Sequence, residues 1–166
     1  MYRRIDDFLA DWEQESQATL SVLRNLTNVS LDQRVSPDGR TLARLAWHLA
    51  QSLHMATEAG LPGVKGPGDG DPVPDKAQAL VDAYGEAAGS LADAVRAGWN
   101  DAALPEEVPM YGDQWAKGRV LSIIIRHEAH HRGQMTVLMR QAGLKVPGVY
   151  GPAREEWAAM GMEPQD

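Results

Sequence analysis

Apolar residues return every three or four positions in four long stretches of this chain, and no stretch alternates convincingly as a strand would. Ile5, Phe8, Leu9, Trp12, Leu20, Leu23 and Leu26 predict a first amphipathic helix over residues 2–28. Pro37, Asp38 and Gly39 break the period, and Thr41 is placed to cap a second helix over 41–59, with Leu42, Leu45, Ala46, Leu49, Leu53 and Ala56 as its stripe. Gly60 closes it. A third helix over 75–97, capped by Asp75, carries Leu80, Tyr84, Ala87, Ala88, Leu91 and Val95. A fourth over 119–142 carries Val120, Ile123, Ile124, Leu138 and Ala142. These elements predict an all-α four-helix bundle with long connections, one domain over 1–166.

Two of the connections have characters of their own. Residues 61–74 are rich in Gly, Pro and Asp and read as a mobile, exposed linker; their acidic run lacks the glutamate that completes an EF-hand. Residues 99–118 read as a crossover or lid, held on the bundle by Met110, Tyr111 and Trp115 and lying over the mouth of a site. A tail over 143–166 starts extended at Pro147 and Pro152, with a short helical turn expected from Glu155 to Met160.

The fourth helix sets histidines among its apolar positions. Projected at about 100° per residue, His127 and His131 fall in the middle of the stripe. Leaving one buried imidazole without a partner costs on the order of 1–3 kcal/mol. A lone histidine on such a face is most simply a hydrogen-bonded core residue, but two at i and i+4 place two ring nitrogens where one divalent ion can take both. His48, at the margin of the second helix's stripe, is the natural third donor from a separate element. His130 sits at the stripe's edge and is an alternative to His131, or a residue that supports the ligands or an interface. Gln134 lies one turn beyond His131 and can hydrogen-bond a ligand ring. Glu128 projects roughly 80° from the ligand pair and is expected to support the site or the fold. His54, near Trp47, is read as surface or subunit contact.

Bulk properties narrow the function. A net charge of −7 and a pI near 5.2 argue against a nucleic-acid partner. No apolar run reaches membrane-spanning length and the N-terminal residues have no signal-peptide core, so no membrane association and a cytoplasmic location are expected. The chain has no cysteine, which removes thiolate nucleophiles and thiolate metal ligands together.

The histidine on the second helix, the run His127-Glu128-Ala129-His130-His131-Arg132-Gly133-Gln134 and the segment from Pro147 through Tyr150 to Pro152 together resemble the DinB/YfiT-like superfamily. The resemblance spans nearly the whole chain, and the fourth-helix run is its most specific part. It implies a four-helix bundle in which His48, His127 and His131 hold one divalent cation, commonly zinc or nickel, and it implies a homodimer acting on a small-molecule substrate. Activities known in the superfamily include transfer of low-molecular-weight thiols such as bacillithiol or mycothiol to electrophiles, and a thiol-linked isomerisation. A thiol co-substrate agrees with a chain that has no cysteine of its own.

The same letters admit other readings. His127 to His131 match HExxH, with Glu128 as general base and Glu155 or Glu156 as third ligand of a metal-dependent hydrolase. Glu128 to His131 match one ExxH of a di-iron bundle, but a second ExxH is missing. A non-catalytic dimeric stress-response module with a structural metal is a further alternative.

Overall fold

The structure is a computed structural model that describes residues 1–163, so the last three residues of the predicted tail lie outside it. Four long helices carry the fold: α1 (Ile5–Leu23), α2 (Leu42–Ser52) with its short continuation α3 (Met55–Glu58), α4 (Ala77–Gly98) and α5 (Lys117–Gln141). Helices α1 and α2 each pack against both α4 and α5, so the order round the bundle is α1, α4, α2, α5. The predicted stripes face inward, and Phe8, Trp12, Leu23, Leu42, Leu49, Leu80, Tyr84, Leu91 and Leu121 are almost wholly buried. Trp12 stacks on Phe8 at 6.1 Å and donates its indole N–H to the Ala88 carbonyl on α4 at 3.0 Å. The large ring is thereby buried with its polar atom satisfied.

Helix ends depart from the periodicity for local reasons. Helix α1 stops at Leu23 rather than 28, because Thr27 and Ser30 form a capping box that starts a separate 3-10 turn over Asn28–Asp32. The second helix does not run unbroken to 59; it turns at Leu53 and His54 before α3. Thr41 caps α2 as expected, its hydroxyl accepting from the Arg44 N–H at 3.1 Å. Asp75 does not cap α4. That role falls to Asn28, whose Oδ1 accepts from the Ala77 N–H at 2.9 Å and ties the turn after α1 to the start of α4.

The connections differ more. Residues 107–116 form an antiparallel hairpin, β1 (Glu107–Met110) paired with β2 (Asp113–Ala116), so the chain is not free of strand. Tyr111 and Gly112 make its tight turn with φ of 52° and 82°, the left-handed pair that a two-residue hairpin requires. The Gly/Pro connection is anchored rather than a bare exposed linker: Leu61 and Val64 are buried, and Asp71 and Gly68 carbonyls accept from Trp47 and Gln51 on α2. At the tail, the expected turn forms as two 3-10 segments, Arg154–Glu156 and Ala158–Met160.

Candidate metal centre

Helix α5 presents His127 and His131 one turn apart, and α2 brings His48 against them. The ring centroids lie 5.0 Å (His48 to His127), 4.7 Å (His48 to His131) and 4.4 Å (His127 to His131) apart. One nitrogen from each ring falls within 4.8 Å of the other two. The Nε2 atoms of His127 and His131 face each other at 3.1 Å. Two imidazoles on one tetrahedral zinc have nitrogens about 3.3 Å apart, from bonds of roughly 2.0–2.1 Å, so this spacing already suits a shared ion.

Proton positions follow from the neighbours. Gln134 Oε1 lies 2.8 Å from His131 Nδ1, and Gln134 Nε2 lies 3.0 Å from His130 Nε2. The amide oxygen accepts the His131 Nδ1 proton, which leaves the His131 Nε2 lone pair turned to the centre of the triad. His127 Nδ1 is buried with no partner of its own. Burial pushes His48 and His127 down to about 4, with the positive charge of neighbouring rings acting in the same direction, and burial also lowers His131. At neutral pH three uncharged nitrogen donors therefore converge from two helices, the donor set of an ion site with an open position. They fit a divalent cation.

Of the other residues singled out in the sequence, Gln134 is the one that touches a triad ring through a hydrogen bond. His130 is exposed, edge-on to His131 at 4.8 Å and held by Gln134. His54 sits beside the site with Nε2 3.3 Å from the Gly66 carbonyl oxygen.

Glu128 supports the fold and makes no hydrogen bond to any of the histidines. It is wholly buried, and its Oε2 accepts from Thr19 on α1 at 2.7 Å and from Tyr84 on α4 at 2.8 Å. Its Oε1 is left without a partner, and burial raises its carboxyl from 4.5 to about 7. The protease-like assignment fails on this geometry, because its general base is turned into the bundle. Its proposed third ligands are engaged elsewhere: Glu155 with Arg140 at 3.4 Å, and Glu156 with the N–H groups of Gly148 and Ala153, each at 3.0 Å.

Behind Glu128 runs a polar web that the sequence did not disclose. Arg132, 2% exposed, donates to the Glu15 carbonyl, to Thr19 Oγ1 and to Tyr150 Oη, and forms an ion pair with the Glu15 carboxylate at 2.5 Å. Tyr150 in the tail donates to Glu15 in turn. Nothing in the spacing of Glu15, Arg132 and Tyr150 signals the meeting, since they come from α1, α5 and the tail.

Two depressions reach the triad. A cleft of about 450 Å³ exposes His48 and His127 and is bordered by Glu58, Asp69, His54 and Tyr111. The hairpin borders this cleft through Tyr111 at its tip; Met110 is buried and holds the connection on the bundle, whereas Tyr111, expected as a second anchor, is 68% exposed. The second, on the His131 side, is a groove of about 580 Å³.

The fold and site together describe a helical bundle with three histidines converging from its second and last long helices, and comparison with known proteins gives the family. The family model described as DinB family matches residues 1–166, and the chain belongs to the DinB family. It is 43% identical over 163 residues to the uncharacterized protein YrdA of Bacillus subtilis (strain 168), covering 98% of each chain. A crystal structure of a DinB-like protein from Bacillus cereus ATCC 10987 superposes with a TM-score of 0.86 at 38% identity, over 90% of this chain and 100% of that one. A DinB-like protein from Bacillus subtilis, YjoA, shares the fold at 16% identity with a TM-score of 0.65, over 82% of this chain and 92% of its own. Among the described residues no helix is long and apolar enough to cross a membrane.

Proposed function

We propose that His48, His127 and His131 hold one divalent cation, zinc or nickel, and that the site transfers a low-molecular-weight thiol of the bacillithiol or mycothiol type to an electrophilic small molecule. The observation that carries this reading is the convergence of three neutral ring nitrogens within 4.8 Å beside an open cleft. A bound cation lowers the pKa of a thiol or water at its open position and so supplies a nucleophile at neutral pH. The chain's own residues position and enclose: Gln134 fixes the His131 ring, the core around α2 and α5 fixes the rest, and the hairpin and Gly/Pro connection wall the cleft. The thiol comes from outside, since the chain has no cysteine. A homodimer belongs to the same proposal and is tested by sedimentation equilibrium.

Elemental analysis of freshly purified protein is expected to give one zinc or nickel per chain. His48→Ala is expected to lower that content steeply while circular dichroism shows an unchanged helical fold. Metal-loaded protein is expected to conjugate monochlorobimane with bacillithiol or mycothiol. Full metal content with no turnover of any thiol, and unfolding of the protein once the ion is stripped, would favour the alternative of a structural metal in a non-catalytic module. Hydrolysis of an ester or peptide in place of thiol transfer would favour a hydrolase.

A further inference from the structure

The triad opens on two sides, and the two sides differ in chemistry. The cleft at His48 and His127 carries the carboxylates of Glu58 and Asp69. The groove at His131 is lined chiefly by Val35, Leu45, Val137 and Leu138, with one cation, Arg40. We infer that this groove is the seat of a second substrate, a small molecule with an apolar body and an anionic group that Arg40 receives.

Three observations support the assignment. At about 580 Å³ the groove has the size of a site for a small organic ligand, and its exposed lining is mostly hydrocarbon, with polar groups from Arg40, His130, His131 and Gln134. Val35 and Val137 on its rim are 71% and 52% exposed, apolar surface left open on a chain that carries a net charge of −7. Arg40 forms no ion pair and donates no side-chain hydrogen bond among the described residues, and it lines the same groove as His131. A guanidinium so placed gives an anion a charge-assisted, bidentate partner beside the triad, while the acidic cleft on the other side repels it. Sugar-based thiols are polar throughout and match the hydrocarbon lining poorly, so the groove suits the acceptor rather than the thiol. That last step rests on the function proposed above; the binding itself does not require the metal.

The test uses the intact protein, stripped of metal and loaded with zinc, titrated with the fluorescent probe anilinonaphthalene sulfonate. Saturable binding of one probe per chain is expected in both forms. Octanoate should displace it at least about tenfold more effectively than octanamide, the scale of one charge-assisted contact. Glutathione, an anionic thiol with little apolar surface, should displace it weakly. Arg40→Glu should weaken binding by about tenfold or more, Arg40→Lys should retain most of it, and His48→Ala should leave it unchanged, which separates this site from the metal reading. Equal displacement by octanamide, strong displacement by glutathione, or full affinity in Arg40→Glu would overturn the assignment. So would absence of probe binding together with a dimer that Val137→Asp dissociates, since the groove would then be a contact between copies.

Discussion

Gln134 is the residue on which the state of the triad turns. Its amide oxygen holds the proton of His131 on Nδ1, and its amide nitrogen is kept in that orientation by His130. Gln134→Leu keeps the helix and removes the acceptor, so the ring is free to change tautomer and turn. Metal affinity is expected to fall by about 10–100-fold, measured by competition with a chelator, with little change in thermal stability of the stripped protein. The buried ionisable groups give the stripped chain two opposed pH dependences. His48 and His127 are depressed from 6.5 to about 4, so as pH falls through that window the unfolded chain takes up protons that the fold refuses, and stability is lost. Glu128 is raised from 4.5 to about 7; its contribution is full below 4.5 and is lost as pH rises through 7. Glu128→Gln keeps an acceptor for Thr19 and Tyr84 and cannot ionise. Urea unfolding is therefore expected to show it close to wild type near about pH 5 and more stable by roughly 2 kcal/mol near about pH 8.

Among the elements, the hairpin shows how tertiary need overrides local preference. Its two-residue turn requires left-handed backbone at both central positions, which Gly112 accepts freely and Tyr111 accepts at a cost. The ring so presented stands edge-on to Trp115 at 5.7 Å and borders the cleft. Tyr111→Asn is expected to raise stability by roughly 0.5–1 kcal/mol in thermal unfolding while impairing whatever the cleft binds. Which parts of the architecture could be read from the letters follows from range. Stripes such as Leu42, Leu45 and Leu49 announce their helix because the period is written locally, and Thr41 announces its cap because the N–H it accepts from lies three residues away. Asn28 capping α4 across 49 positions has no local signature, and Asp75 stood in the place where one was expected. The hairpin was hidden because its strands are four residues long and only the Gly after Tyr111 marks the turn. At the site, His127, His131 and Gln134 were legible as helical neighbours. Arg40 and the borders Glu58 and Asp69 were not, because loops and helix ends bring them in.

At the scale of the molecule, the web around Arg132 joins what the apolar core joins, by other means. Glu15 and Thr19 of α1, Tyr84 of α4, Glu128 and Arg132 of α5 and Tyr150 of the tail are linked in one run of hydrogen bonds. Arg132→Met leaves the half-buried Glu15 carboxylate without its cation and is expected to cost about 3 kcal/mol, read from urea unfolding. The web also acts on states that are never purified. A chain in which one of these segments has yet to arrive holds a bare guanidinium in hydrocarbon, so partly assembled forms are penalised far more than a purely oily interior would penalise them. Such a molecule should come apart all at once, its aromatic and helical signals vanishing on a single curve, and halves of it should not survive alone.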